Sequence, residues 1–212
     1  METHKHRIIE YGHMDPFWDD SYKYVNFESR SLFTEPLLNL ESDEREQVAK
    51  DFTHFDRIGT KYDCESLPDW IEIAKEKITE TNGIKDLWGT IIKQLPKTMV
   101  GRHTDTSQYY VEYLRSIEMD TIASKIEKTW PLMQKLLFAG LQVPESLRTQ
   151  ESVYRTVIFL QNQQPGQHYL INDKEVNWVA GDYIIWQNPI VWHKTYNEGV
   201  HDRYTVILSG WK

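Results

Sequence analysis

Two histidines and one aspartate in this sequence have the types and spacing of a metal-binding site. His103 and Asp105 are separated by one residue, and His193 lies far downstream. In a strand, residues i and i+2 point to the same face, so a strand through positions 103–105 would direct both side chains to one point. Two imidazoles and one carboxylate leave part of a metal's coordination open, which favours Fe(II) and oxygen chemistry. A His-x-Asp pair taken alone is more often part of a solvated loop, so the surroundings of His193 decide the interpretation.

A competing set of metal ligands can be drawn around His168. With Asp173 or Glu175, and with His193, it would supply the same types of donor. Two short neighbouring segments would then have to provide every ligand. We therefore interpret His168 as a pocket or surface residue.

The first half of the chain has a pattern typical of helices over residues 40–95. Ser42 is a suitable N-cap for a helix whose first turn is acidic. A second helix is predicted to begin near Pro68, where a first turn tolerates proline, and to end at Gly83. A third is predicted from apolar residues at helical spacing before Pro96. These residues are Ile84, Leu87, Trp88, Ile91, Ile92 and Leu95.

Residues 109–140 are also predicted to be helical. One apolar stripe runs through Ile122, Ile126, Trp130, Met133, Leu136 and Leu137. Pro131 is expected to kink or split this helix, because proline lacks the amide hydrogen and its ring clashes with the preceding turn. Gly140 is the expected end.

From residue 153 onward the pattern changes to short strands. The predicted strands are residues 153–160, 168–171, 176–179, 183–186, 190–193 and 204–209, with turns at 164–167, 172–173 and 180–182. Many short strands at close spacing indicate a sandwich or barrel. The predicted fold class is α+β, with helices around a β core formed mainly by residues 97–105 and 153–212.

The C-terminal region resembles the closing half of the double-stranded β-helix in Fe(II)/2-oxoglutarate-dependent oxygenases. The residues that carry this resemblance are Ala180, Gly181, Asp182, Tyr183, His193, Arg203, Tyr204 and Thr205. It is strongest over residues 153–212, and the same pattern places His103 and Asp105. Aspartyl/asparaginyl β-hydroxylase-like and phage-type members of the superfamily are the nearest types.

The resemblance implies a single domain over residues 1–212 with a jelly-roll or cupin-like core and N-terminal and inserted helices. It also implies Fe(II) held by His103, Asp105 and His193. Arg203 and Thr205 would bind the far carboxylate of 2-oxoglutarate, and the expected reaction is hydroxylation of a C–H bond with release of succinate and CO2. The segment between Asp105 and residue 153 is an insertion relative to the compact pattern.

The chemistry of Arg203 agrees with this role independently of the resemblance. A guanidinium binds a carboxylate through two parallel hydrogen bonds and keeps its charge. Thr205 shares its strand face. A surface or cross-strand charge is the alternative for Arg203. Arg155 opens a predicted strand beside the site, where it is either a ligand for a substrate or co-substrate carboxylate or a strand-end charge.

The composition argues against several other classes of protein. The net charge of −8 does not suit a general nucleic-acid-binding surface, which must neutralise phosphates. No segment reaches the roughly 18 apolar residues of a membrane helix. A single cysteine, Cys64, excludes an internal disulfide and fits a reducing compartment. We predict a cytoplasmic enzyme that acts on a small molecule or a peptide.

Two other functions fit the same residues. The chain could be a cupin-like metalloprotein that does not use 2-oxoglutarate, although Arg203 and Thr205 speak against it. It could also be a non-catalytic binding domain of the same fold, although the presence of all three ligand types speaks against that.

Overall fold

The computed structural model describes residues 9–25, 28–31, 56–59, 67–96, 98–105, 107–148, 151–188 and 190–212, with the backbone alone for 28–31, 56–59 and Met99. The strands in these ranges are β1 (Ile9–His13), β2 (Glu28–Ser31), β3 (Asp56–Gly59), β4 (Lys85–Gln94), β5 (Thr98–His103), β6 (Val153–Phe159), β7 (Gln167–Ile171), β8 (Lys174–Val176), β9 (Asp182–Gln187), β10 (His193–Asn197) and β11 (Arg203–Trp211). The helices are α1 (Trp70–Asn82), α2 (Gln108–Ser116), α3 (Asp120–Phe138) and α4 (Glu145–Arg148), and Asp20–Lys23 form a 3-10 turn.

Strands β4 to β11 are paired in a nested order. β4 pairs with β11, β5 with β10, β6 with β9, and β7 with β8, all antiparallel. Successive pairs alternate between two sheets, which have the strand orders β1-β9-β6-β11-β4-β3-β2 and β5-β10-β7-β8. A long hairpin wound up in this way is a jelly roll, or double-stranded β-helix. The predicted α+β fold with a double-stranded β-helix core is confirmed.

Helix α1 covers the outer face of the larger sheet. Its buried residues Ile71, Ala74 and Ile78 belong to the same apolar cluster as Val206 and Leu208 of β11. The helix ends at Gly83, whose φ of 70° is the left-handed conformation that glycine adopts without steric cost. The predicted helix after Pro68 is therefore confirmed, whereas the helix capped by Ser42 lies outside the described residues.

The predicted helix over residues 84–95 is wrong, because this segment forms strand β4. The strand lies between β11 and β3, and apolar side chains are buried on both of its faces, so the alternation that identifies a half-buried strand is missing. The β-branched run Thr90, Ile91 and Ile92 was the signal for a strand. A second signal was Gly89, where an added Cβ would lie only 1.9 Å from the carbonyl oxygen of Ile207 on β11.

The predicted helical segment after residue 109 forms two helices. The chain turns between α2 and α3 at Glu118, which has a φ of 63°. Helix α3 continues through Pro131, so of the predicted kink or split the split is wrong, and the kink stays a prediction. The helix ends next to Gly140, as predicted. Gln134 donates a hydrogen bond to the Thr104 hydroxyl (3.3 Å), which ties α3 to the loop after β5. No helix in the described part of the chain is long and apolar enough to cross a membrane.

Two predicted strands are displaced along the chain. Residues 176–179 were expected as one strand, but β8 covers Lys174–Val176, and Trp178 stacks on Phe159 from a connecting segment. Residues 190–193 were expected as another, but β10 begins at His193. Ile190 and Val191 are buried in the connection before β10. Apolar residues that are buried without strand pairing account for both errors.

Candidate active site

The structure brings together the three residues predicted to bind a metal. His103 is the last residue of β5 and lies directly opposite His193, the first residue of β10. The strand ends at His103, so Asp105 reaches the same point from the following loop and not from a strand as expected. The ligand atoms of the three side chains all lie within 4.8 Å of one another.

Backbone carbonyls orient both imidazoles toward Asp105. His103 Nδ1 is 2.7 Å from the carbonyl oxygen of Gly101, and His193 Nδ1 is 3.3 Å from that of Val191. A carbonyl oxygen only accepts hydrogen bonds, so each Nδ1 is assigned the proton, and in the neutral ring this tautomer has the lone pair on Nε2. The Nε2 atoms face the Asp105 carboxylate, at 3.7 Å for His103 and 3.6 Å for His193.

The donor set fits a divalent transition metal. With bonds of about 2.1 Å, neighbouring ligands of an octahedral ion are about 3.0 Å apart. The ligand atoms here lie within 4.8 Å of one another, so they need to close in by less than about 2 Å. Ring nitrogens held by a carbonyl on the far side are the usual arrangement of metal-binding histidines. His103, Asp105 and His193 are thus able to hold a metal and leave a face of it open.

The charges and the burial around Asp105 and His193 favour the ionisation states that bind a cation. Burial alone would raise the pKa of the Asp105 carboxyl, but the Arg155 guanidinium and the two imidazoles together hold that pKa well below its ordinary value. Burial and the neighbouring His103 lower the pKa of His193 to about 3. At neutral pH the site therefore contains an ionised carboxylate and a neutral His193, and both are forms that bind metal.

A cavity of about 50 Å³ between the two sheets joins the metal-binding group to Arg203 and Thr205. Alternate residues of strands from both sheets line it, as expected where successive side chains point to opposite faces. The lining residues are Thr90, Ile92, Gln94, Val100, His103, Asp105, Arg155, Val157, Tyr169, Trp186, His193, Thr195, Arg203, Thr205 and Ile207.

Arg203 is held at the wall of this cavity by both sheets. It is the first residue of β11, and its side chain is almost fully buried. Its guanidinium donates a hydrogen bond to the carbonyl oxygen of His168 (2.9 Å) and lies 5.3 Å from the centre of the Tyr169 ring. Thr205 is buried on the same strand face and lines the same cavity. The alternative of a surface charge for Arg203 is therefore wrong.

Arg155 also lines the cavity, where its contacts are with the metal-binding group. Its Nε donates to Asp105 Oδ2 (2.9 Å) and its Nη1 to the Ser209 hydroxyl (2.8 Å). It is the third residue of β6 and only 15% of its side chain is exposed, so it is not a solvated strand-end charge. Binding of a substrate or co-substrate carboxylate by Arg155 stays a prediction.

His168 does not belong to the metal-binding group found among the described residues. It lies on β7, its Nδ1 bonds the Glu175 carboxylate, and its ring stacks on Tyr196. Asp173 instead pairs with Arg102 (3.2 Å). The competing ligand set is therefore not formed, and the interpretation of His168 as a surface or pocket residue is the better one.

Ser209, Tyr169 and Trp186 are three site residues that the sequence interpretation missed. Ser209 follows Arg203 and Thr205 at the two-residue spacing of strand β11, and that spacing was available as a signal. On β7, Tyr169 lies two residues from both Gln167 and Ile171, and all three side chains are buried on the same face of the strand. Trp186 is buried and lines the cavity, and its ring centre lies 4.8 Å from that of His193.

Comparisons with known proteins give structural similarity only. No protein-family model and no curated protein matches the sequence. A prolyl-4-hydroxylase from Pseudomonas putida is similar at 13% identity and a TM-score of 0.45, covering 91% of this chain and 96% of that chain.

Two further solved structures are similar. One is an oxidoreductase of the 2OG-Fe(II) oxygenase family from Burkholderia pseudomallei, at 9% identity and a TM-score of 0.42, covering 87% of this chain and 85% of that chain. The other is a predicted oxalate decarboxylase from Thermotoga maritima, at 11% identity and a TM-score of 0.36, covering 74% of this chain and 82% of that chain. The structural neighbours thus include 2OG-Fe(II) oxygenases, at similarities too low to bear on activity or ligands.

Proposed function

We propose that this chain is an Fe(II)- and 2-oxoglutarate-dependent dioxygenase that hydroxylates a C–H bond of a small molecule, an amino acid or a peptide side chain. One observation carries the proposal: a single cavity contains both the His103–Asp105–His193 group and a buried arginine and threonine. The metal-binding group suits Fe(II), and Arg203 with Thr205 suits the far carboxylate of a dicarboxylic acid.

The two ends of the cavity have separate tasks in this proposal. His103, Asp105 and His193 would hold Fe(II), and Arg203 with Thr205 would fix the orientation of 2-oxoglutarate. With both bound, the reaction would consume dioxygen: one oxygen atom would enter the succinate that forms, together with CO2, from 2-oxoglutarate, and the other would enter the hydroxylated C–H bond of the substrate. Between the two ends, Val157, Trp186 and Ile207 line the cavity with apolar surface and limit the access of water.

The side chain of Arg203 is suited to a co-substrate that arrives as a dianion. A buried guanidinium that stacks over an aromatic ring keeps its charge and its orientation, so little conformational freedom is lost when a carboxylate binds. The substrate would enter from the open face of the metal. A cytoplasmic location is part of the same proposal.

Anaerobic visible spectroscopy with Fe(II), with and without 2-oxoglutarate, tests the proposal. We expect a weak charge-transfer band that requires both components and is absent in His193→Ala. Iron binding without the band would favour a cupin-like metalloprotein that does not use 2-oxoglutarate. Absence of iron binding would favour a non-catalytic domain.

A further inference from the structure

Arg155 joins the larger sheet to the metal-binding loop through two hydrogen bonds. Ser209 on β11 lies opposite Arg155 on β6 in the strand pairing and fixes one end of the guanidinium. The Nε–H at the other end reaches Asp105 Oδ2 at 2.9 Å. Both partners are at least four-fifths buried, so water competes little for these hydrogen bonds.

The two oxygens of Asp105 therefore have different surroundings. Oδ2 accepts the hydrogen bond from Arg155 and is 3.6 Å from His193 Nε2, whereas Oδ1 faces His103 Nε2 at 3.7 Å. A carboxylate oxygen that accepts a charged hydrogen bond is a weaker donor to a metal than its partner oxygen. The geometry leaves Oδ1 as the oxygen available to a cation.

We propose that Arg155 is a positioning residue that makes Asp105 bind the metal through one oxygen, and that Ser209 holds Arg155 in place for this task. The inference rests on the proposed function. A six-coordinate ion with two histidines and a one-oxygen carboxylate keeps three free positions. The 2-oxo acid needs two of them, which leaves one for dioxygen. A carboxylate that bound through both oxygens would occupy that last position.

The proposal separates the role of Arg155 from that of Arg203. Arg203 is assigned to the co-substrate and its loss should change the affinity for 2-oxoglutarate. Arg155 is proposed to limit how many coordination positions of the metal the protein itself occupies. Loss of Arg155 should therefore change how many water molecules a bound ion retains, even before any co-substrate is present.

The test is a count of exchangeable waters on Mn(II), used as the probe ion and measured by water proton relaxation of the protein at saturating metal. The variants are Arg155→Met, Ser209→Ala and the control Arg102→Met. Arg102 is exposed and pairs with Asp173, so its replacement removes the same charge without touching Asp105. Metal affinity is measured in parallel so that every variant is compared when fully loaded.

We expect Arg155→Met to lose about one water relative to the parent protein, and to retain almost none when 2-oxoglutarate is added. Ser209→Ala, which keeps the charge and removes one anchor, should give a smaller loss in the same direction. Arg102→Met should match the parent. Equal water counts in the parent, Arg155→Met and Ser209→Ala would overturn the inference, as would a full effect in Arg102→Met.

This outcome is distinguishable from failure of the proposed function. If the parent protein itself does not bind Mn(II) through the three ligands, the proposed function fails. If it binds Mn(II) and 2-oxoglutarate normally but Arg155→Met has the same water count, only the role of Arg155 fails. Should Arg155→Met not fold, the Ser209→Ala result alone decides between the expected loss and its absence.

Discussion

His103 and His193 are directly opposite each other on neighbouring antiparallel strands, and their ring centres are 4.2 Å apart. Strand β5 and strand β10 come from opposite arms of the wound hairpin, so this contact exists only when the double-stranded β-helix is closed. The metal-binding group is therefore a product of the winding. A change that weakens the β5–β10 pairing would be expected to weaken metal binding as well.

The first prediction compares two histidines of the smaller sheet, His103 on β5 and His168 on β7. His103→Ala should lower the affinity for Fe(II) or Co(II) by at least about a hundredfold, because one of three ligands is lost. His168→Ala should leave the affinity within about threefold, since His168 bonds Glu175 outside the metal-binding group. Anaerobic metal titration gives both values. Equal losses in the two variants would contradict the assignment of the ligands.

The second prediction concerns Arg203 and Thr205, the buried residues proposed to bind the far carboxylate of 2-oxoglutarate. Arg203→Ala should raise the 2-oxoglutarate concentration needed for half-saturation by about a hundredfold or more, since charged hydrogen bonds contribute about 1.5–3 kcal/mol each. Thr205→Val keeps the shape of the side chain and should raise the half-saturating concentration of 2-oxoglutarate by about three- to tenfold. Metal affinity should not change in either variant. Binding of 2-oxoglutarate to the metal-loaded protein is measured by calorimetry, and unchanged affinity in Arg203→Ala would contradict the role.

The third prediction is a pH dependence of stability in the metal-free protein. The pKa of His193 is lowered to about 3 in the folded state, whereas it is close to 6.5 in an unfolded chain. Between these values the unfolded chain binds one more proton, so stability is complete above about pH 6.5 and decreases as the pH falls.

One such proton lowers the free energy of unfolding by about 1.4 kcal/mol for each pH unit within this window. The Asp105 carboxyl, with a lowered pKa, adds a loss in the same direction once the pH falls below about 4. Thermal unfolding is followed from pH 7 to pH 4, with His193→Gln as the comparison. In this variant the free energy of unfolding should depend less steeply on pH, by the equivalent of about one proton. The same pH dependence in both proteins would contradict the prediction.

The fourth prediction concerns a buried hydroxyl on the face of β6 that points away from the cavity. Thr156 on β6 is fully buried, and its Oγ1 has no hydrogen-bond partner within the described ranges. A buried unpaired hydroxyl costs about 1–3 kcal/mol, so Thr156→Val should stabilise the protein by about 1 kcal/mol and raise Tm by about 2–4 °C. Thr205→Val, whose hydroxyl faces the cavity, serves as the control and should not raise Tm. A lower Tm for Thr156→Val would show that its hydroxyl is paired.

The sequence alone predicted most strands of the C-terminal half of the fold and the residues of the proposed site. Alternating and β-branched patterns predicted most of β6, β7, β9 and β11, because these strands lie between turns with clear Gly, Pro, Asn or Asp signals. The same period of two placed Arg203 and Thr205 on one face. The residue types at 103, 105 and 193 predicted the metal-binding group only together with the resemblance of the segment around His193, because a His-x-Asp pair by itself is a weak signal.

Tertiary structure decided what local patterns could not. Strand β4 is buried on both faces, so its spacing fits a helix as well as a strand, and only its pairing with β11 and β3 decides between the two. The position of Asp105 in a loop, the hydrogen bond from Arg155 and the anchoring by Ser209 join three separate segments. Side chains that meet across two wound sheets leave no local pattern in the chain, because their distance is set by long-range pairing and not by spacing.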